Sequence, residues 1–344
     1  MTIKGKATSL DIAHLAGVSQ PTVSRALRGG ASVNPETRQR ILAIARQLNY
    51  KVDKNASNLR AQQTGTLALL FFEDPTPDDS LINPFFHSML GSITRACALR
   101  GYDLLVSFQQ LSTNWHADYE DSNKADGIIL LGYGDYLEAE STLQQLVAQG
   151  THFVRWGAAL PDSPGISIGC DNFQGGHDIS AHLLAQGRRH IAFLGHASNH
   201  YPEFFERWRG YAHALRKARL KPDPKLQIDA ITTEQAGYEA TQQLIARGKP
   251  FDAIFAASDL IALGAMKALH EHGLRIPHDV AVVGFDNIAM AGFAQPGLST
   301  VQQDTRLAGE VLVDTLIALI RGQEAQSQSL PAKLVLRASS QTPA

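Results

Sequence analysis

Thr8–Leu27 reads TSLDIAHLAGVSQPTVSRAL. Leu10, Ile12, Ala13, Leu15 and Ala16 recur at helical spacing, and a second apolar set, Val18, Thr22, Val23, Ala26 and Leu27, follows once Gly17-Val18-Ser19 has reset the face. The pattern predicts helix, tight turn, helix. Ser19 stands where its hydroxyl can cap the second helix. Pro21 falls in the first turn, where a missing N–H costs little, so that helix begins at Gln20. Its polar face carries Gln20, Pro21, Ser24 and Arg25, groups that can approach base edges, with the arginine fork suited to guanine. Such a face suits a helix that reads a DNA groove. The bland alternative is an ordinary helical hairpin in a small domain.

Charge separates the two readings. Residues 1–60 hold ten Lys or Arg against three acids, a local net charge of +7, whereas the whole chain is −2 and the remainder therefore −9. A basic end on an acidic chain points to a polyanion partner for that end alone, and the acidic remainder is repelled by DNA. Downstream, Gly29-Gly30 ends the second helix. Asn34-Pro35-Glu36 starts a third with an N-cap, a proline at the first position and an acid in the first turn; Ile41, Ile44, Ala45 and Leu48 supply its packing stripe.

DIAHLAGVSQPTVSRAL followed by VNPETRQRILAIARQLNY resembles the headpiece of the lactose-repressor (LacI/GalR) family of bacterial transcription factors, and the likeness continues over nearly all 344 residues. It implies a small all-α helix-turn-helix headpiece, residues 1–54, a hinge helix or linker, 55–64, and an α/β body, 65–344. The body is expected to have two similar parallel-sheet lobes of periplasmic-binding-protein-like form, lobe 1 about 65–160 and 292–322, lobe 2 about 161–291 and 323–340. The DNA-contacting set it implies is Thr8, Ser19, Gln20, Pro21, Thr22, Ser24, Arg25, Asn34, Tyr50, Asn55, Ala56 and Leu59. Asn55–Gln63 is polar apart from small alanines and Leu59, so it has no face with which to fold alone. In the family two such hinges pair in the minor groove, where Leu59 would wedge between base pairs; docking of Leu59 on its own body is the alternative. The family's proline after the tyrosine is absent from Tyr50-Lys51-Val52.

The rest of the chain reads as strand alternating with helix. Leu67–Phe72, Leu104–Phe108, Gly127–Leu131 and His152–Trp156 are short apolar runs like buried parallel strands, and Phe86, Met89, Leu90, Ile93, Ala96 and Cys97 mark a helix between them. After Pro161–Gly165 the alternation restarts with Ile191–Leu194, Leu226–Ile228, Ala253–Ala256 and Val280–Val283. Two successive open α/β units imply two lobes with a cleft between them, and ligands in such sheets sit beyond the carboxyl ends of strands. By resemblance, Ser299–Asp304 and a helix near Leu307–Ile320 return to the first lobe and Lys333–Ala338 gives a strand to the second, so the lobes are joined by three crossings.

Asn83, Phe85, Trp156, Arg207, Ser258, Asp286 and Gln303 fall at strand carboxyl ends, helix starts or the return, and resemble the sugar-contacting positions of ribose-type binding proteins. A carboxylate such as Asp286 accepts from vicinal hydroxyls, Arg207 donates through its fork, and Phe85 and Trp156 cover the C–H side of a ring. Phe86 reads as core and Asp259 as a helix cap. Tyr201–Glu206, with its extra rings, either extends the pocket or staples a loop.

Enzyme readings fail for want of motifs: there is no Gly-rich phosphate loop with its lysine, no Gly-x-Ser-x-Gly elbow, no Cys-x-x-Cys pair, and Gly132-Tyr133-Gly134 lacks the rest of a dinucleotide fingerprint. His196 with His200 and His270 with His272 read as surface rather than metal ligands. Cys97 and Cys170 suit buried thiols in a reducing compartment. The amino terminus lacks a secretion signal's apolar core and no run is long enough to span a bilayer, so a cytoplasmic, nucleoid-associated protein is expected. The reading is a repressor of carbohydrate-utilisation genes with no cofactor. It would be a homodimer on a pseudopalindromic double-stranded operator, with half-sites about 10 bp apart, controlled by a mono- or oligosaccharide effector. A purine or protein co-effector, or a sugar-binding module that does not bind DNA, are the alternatives.

Overall fold

The computed structural model describes residues 7–27, 32–50, 63–74, 80–132, 134–160 and 163–341. The chain divides into two compact units, 1–64 and 65–344. In the first, α1 (Ser9–Ala16), α2 (Gln20–Leu27) and α3 (Pro35–Gln47) close on Ile12, Ala13, Ala16, Val23, Ala26, Val33, Ile41 and Ala45. A capping box starts α1: the Thr8 hydroxyl accepts from the Asp11 amide at 3.3 Å and the Asp11 carboxylate accepts from the Thr8 amide at 2.8 Å. Gly17, at φ 64°, ends α1 in the left-handed region and makes the turn possible.

Two details correct the expectation. Leu10 and Leu15 flank the buried stripe and are 63% and 51% exposed, so they are not core. The Ser19 hydroxyl pairs with the Thr22 hydroxyl at 2.9 Å instead of accepting from a first-turn amide, and it is the Ser19 carbonyl that receives the Thr22 and Val23 amides.

In the second unit, β1 (Thr66–Phe71), α4 (Pro84–Arg100), β2 (Asp103–Phe108), β3 (Ile128–Leu131), α5 (Tyr136–Ala148), β4 (Phe153–Trp156) and β5 (Ile166–Cys170) build the first lobe. The chain then crosses into α6 (Asn172–Ala185), β6 (Ile191–Leu194), α7 (Pro202–Lys217), β7 (Gln227–Ile228), α8 (Glu234–Ala246), β8 (Ala253–Ala256), α9 (Asp259–Glu271) and β9 (Ala281–Val283). With Gln328–Leu330 as β11, the first sheet has the order β11-β5-β4-β3-β1-β2 and the second β7-β6-β8-β9; every pairing in both is parallel. Buried on both faces, β3, β6 and β8 need continuous apolar runs, which is what made them legible, whereas the buried β4 carries Arg155 between its apolar residues.

The lobe boundary moves. Ile166–Cys170, expected in lobe 2, completes the first sheet, and β11 (Gln328–Leu330) pairs with it there. The chain crosses after β5, between β10 (Thr300–Gln303) and α10 (Thr305–Ile320), and between β11 and β12 (Ala332–Val335). The last strand pairs antiparallel with β10, which is bridged to the second sheet at Val283–Ser299 and Asp286–Gln302, so this segment joins the second lobe as expected, and Ser299–Gln303, expected in the first lobe, lies there too.

Second-lobe helices approach closely through glycine. A Cβ at Gly210 would strike the Phe173 carbonyl, and one at Gly176 the Arg207 carbonyl, so α6 and α7 lie almost backbone to backbone. Gly210→Ala is therefore expected to cost about 1–3 kcal/mol by overpacking, measured as a lower unfolding midpoint. Gly91→Ala, on exposed α4 with open space around its Cα, should leave the midpoint unchanged or raise it. Equal effects of the two would refute the close-approach account.

Candidate functional site

The carboxyl ends of both sheets face one cavity of about 500 Å³. From the first lobe Phe72, Asp74, Asn83, Phe85, Phe86, Gly132, Gly134, Asp135, Glu138 and Trp156 line it; from the second, Tyr201, Glu203, Phe204, Arg207, Ile231, Thr232, Thr233 and Asp286, with Gln303 on the return strand. Phe85 packs against Phe86 at 5.4 Å and Trp156 at 6.1 Å between ring centroids, giving one aromatic wall. Tyr201 and Phe204, 6.4 Å apart, give another.

Arg207 and Asp286 form the floor. Arg207 lies in the second turn of α7, which opens earlier, at Pro202, than the sequence suggested. Its Nε donates to Asn172 Oδ1 at 2.8 Å, Nη1 donates to the Ala257 carbonyl and stands 3.7 Å from Asp286 Oδ1, and its plane covers the Phe285 ring at 3.8 Å. Burial pulls the guanidinium below its usual range. Burial likewise raises the Asp286 carboxyl to about 6, opposed by Arg207 and by Gln303, whose Nε2 donates to Oδ1 at 2.7 Å. Asp286 holds φ 115°, a conformation L residues rarely adopt, and the adjoining loop is tied down by Asp259: Oδ2 accepts from the Ile288 amide at 2.9 Å and Oδ1 from the Thr300 hydroxyl at 2.5 Å. Burial, reinforced by the nearby Asp286 charge, pushes Asp259 well above the carboxylate range.

Six of the seven expected effector residues thus share the cavity. Ser258 does not: it is buried and caps α9 by accepting from the Ile261 amide at 3.3 Å. The cap expected of Asp259 belongs to Ser258, and Phe86, expected in the core, packs against it and also lines the cleft. Asn83 lines it while capping α4 through the Phe85 amide at 2.9 Å. The aromatic stretch divides: Tyr201 and Phe204 face the cavity, whereas Phe205 stacks on Trp208 at 5.8 Å. Sequence reading missed Asp74, Asp135, Glu138, Glu203 and Thr232-Thr233. Asp74, Asp135 and the threonines follow β1, β3 and β7, so the carboxyl-end rule applied to every strand would have found them.

Contacts bridge the lobes at the cavity mouth. His200 Nδ1 meets Asp135 Oδ2 at 2.5 Å, the Tyr136 amide donates to the His200 carbonyl at 2.9 Å, and the Ala158 amide donates to Glu203 Oε1 at 2.9 Å. His196 stacks on Tyr201 at 4.3 Å. Among the described residues no group of three or more His, Cys, Asp or Glu could hold a metal ion, and no helix is long and apolar enough to cross a membrane.

In the helical unit Thr8, Ser19, Pro21, Arg25 and Asn34 are exposed, and Gln20, Thr22, Ser24 and Tyr50 half-buried. Several have structural duties as well. Thr8 and Asn34 cap α1 and α3, Gln20 Nε2 donates to Ser9 Oγ at 3.0 Å, and Tyr50 packs on the core. Arg25 Nε donates to the Pro21 carbonyl at 3.3 Å. Asn55, Ala56 and Leu59 lie outside the described residues.

Residues 8–53 match the family model for bacterial regulatory proteins, lacI family, and residues 180–340 that for a periplasmic binding protein-like domain. The HTH-type transcriptional regulator CelR of Thermobifida fusca is 30% identical over 330 residues, covering 94% of each chain. A solved CelR–cellobiose complex overlays with a TM-score of 0.70 at 29% identity, covering 97% of this chain and 99% of that one. The lac repressor dimer bound to operator and the anti-inducer ONPF gives 0.81 at 26% identity, covering 98% and 100%.

Asp74, half-buried beside the cavity, carries a carboxyl raised by burial to about 6 from 3.8. The folded chain therefore binds this proton more tightly than the unfolded one, and stability falls as pH rises from about 4 through 6. Asp74→Asn is expected to raise stability by about 2 kcal/mol at pH 7.5 and by about a third of that at pH 4.5. Urea unfolding of both proteins at the two pH values checks this, and a gain confined to pH 4.5 would refute it.

Proposed function

The chain belongs to the lacI family of bacterial regulatory proteins, and from that premise we propose that its cleft binds a sugar whose occupancy controls how the headpiece reads DNA. The protein is a DNA-binding transcriptional regulator. We read it as a repressor of carbohydrate-utilisation genes acting in the cytoplasm, where its operator lies, and as a binder rather than an enzyme. The observation that carries the sugar reading is the floor of the cleft. One carboxylate and one guanidinium, both buried, stand side by side beneath two aromatic walls. Such a floor offers acceptors and donors to hydroxyls while the rings cover C–H faces. CelR, solved with cellobiose, is a relative with a sugar in hand.

On the DNA side, Gln20, Pro21 and Arg25 project from the start and middle of α2, where a recognition helix contacts bases, with Thr8, Ser19, Thr22, Ser24, Asn34 and Tyr50 around them. Asn55, Ala56 and Leu59 are assigned to the minor groove on the family resemblance alone. A homodimer fits the first lobe's edge: β2 leaves Leu105 and Val106 at 37% and 44% exposure, beside Leu99 and Leu111 at 69% and 71%. The related lac repressor is a dimer on its operator. A sugar that binds one arrangement of the lobes more tightly than another shifts the population and so the DNA affinity.

A thermal-shift screen of sugars against nucleobases and nucleosides tests the effector class. Sugars should raise the midpoint, and Asp286→Ala and the milder Gln303→Ala should abolish or reduce that rise. A response to nucleobases alone would transfer the cleft to a purine. For DNA, Arg25→Ala should cost about 1–3 kcal/mol on the operator and little on unrelated duplexes. Equal weakening on every duplex would make Arg25 a phosphate contact.

A further inference from the structure

We propose that the effector carries no anionic group: the cleft takes uncharged or amine-bearing glycosides and turns away sugar phosphates and sugar acids. This rests on the sugar reading above and narrows it.

Among the described residues the cavity is lined by five carboxylates, Asp74, Asp135, Glu138, Glu203 and Asp286, and one cation, Arg207. The stretches outside the described residues in this unit, 75–79, 133, 161–162 and 342–344, contain no Lys, Arg or His. Arg207 is already engaged by Asn172, the Ala257 carbonyl and Asp286. Of the histidines at the mouth, His200 is bound to Asp135, and His196, stacked on Tyr201, lies 3.7 Å from Asp229.

Helix amino termini are the other source of anion-binding donors, because their first amides are unpaired and the helix dipole favours negative charge. Here four helices begin at the cleft: three start with a side-chain cap that takes a first-turn amide, and α7, which has no side-chain cap, starts with Pro202 and Glu203. In α4 Pro84 has no N–H and Asn83 takes the Phe85 amide; in α7 Pro202 has none and Glu203 follows it. In α5 Asp135 takes the Leu137 amide and Glu138 sits in the first turn; in α8 Thr233 takes the Ala236 amide and Glu234 sits in the first turn. A phosphate entering this cleft would meet acidic walls and few free donors. A hydroxyl or a protonated amine would meet acceptors. Burial that raises Asp74 and Asp286 to about 6 is a further sign that more negative charge is unwelcome.

Isothermal titration of the full-length protein tests this with a panel of neutral mono- and disaccharides, their 6-phosphates, uronic acids, amino sugars and nucleosides. The tightest neutral or amino sugar should exceed its own phosphate by at least about 100-fold. Glu138→Lys, at an exposed position on the rim, should narrow that ratio at least tenfold by placing a cation on the wall. A phosphate or uronic acid binding as tightly as its neutral parent would overturn the inference and leave the sugar reading standing. An unchanged ratio in Glu138→Lys would overturn its electrostatic basis. Silence from every sugar, with or without binding of a nucleoside, would overturn the sugar reading itself.

Discussion

The buried approach of Arg207 to Asp286 is the constraint around which the second lobe is arranged. Two charges taken out of water lose several kcal/mol of hydration each, and their attraction compensates only when neighbouring hydrogen bonds are complete. The fold supplies those neighbours from separate elements: Asn172 opens α6, Ala257 follows β8, Phe285 precedes the carboxylate, and Gln303 arrives on β10. The close packing of α6 on α7 through Gly176 and Gly210 fixes the arginine's own backbone. Asp259 holds the loop that keeps Asp286 at its unusual φ. A ligand's hydroxyls would add to the polar partners that Asn172, the Ala257 carbonyl and Gln303 already supply.

That floor belongs mainly to one lobe, and its lid to the other. The Asp135–His200 contact, the Tyr136 amide and the Glu203–Ala158 bond all tie lobe to lobe at the rim. Each is a single polar contact near solvent, individually worth about 1 kcal/mol or less. Bonds of that size can be made and broken by a ligand's differential affinity, whereas the three chain crossings limit the motion to rotation about a common hinge.

Much of this was legible in the sequence because burial on both faces forces unbroken apolar runs: Ile128–Leu131, Ile191–Leu194 and Ala253–Ala256 could hardly be anything but inner strands. Ile166–Cys170 escaped notice because ISIGC is broken by Ser167 and Gly169; the glycine is there because a Cβ would strike the Gly157 carbonyl. Gln328–Leu330 is an edge strand with two exposed residues and so carries no hydrophobic signature. Arg207 and Asp286 were legible as charges at element ends. The acidic rim was not, because Asp135 and Glu138 read equally well as ordinary first-turn helix residues, and only the approach of the other lobe turns them into a wall. Ser258 misled for the opposite reason: a serine after a strand satisfies both a ligand and a helix amide, and the amide is nearer.

The partition of charge along the chain gives these observations a common logic. Residues 1–60 carry +7 and the remainder −9. An acidic body is repelled by a polyanion, so DNA contact is confined to the segment built for it, and nonspecific attraction, which grows with every phosphate neutralised, stays small. The same acidity continues into the effector cleft, where capped or proline-led helix starts leave few donors for an anion. On the proposed reading, discrimination at both sites depends on directed hydrogen bonds against a repulsive background: Arg25 and Gln20 toward base edges, Arg207 and Asp286 toward hydroxyls. Repulsion of the wrong partner separates two ligands as effectively as attraction of the right one. For a regulator this matters more than affinity, because a cleft that also held abundant phosphorylated sugars would be occupied whether or not its own effector was present.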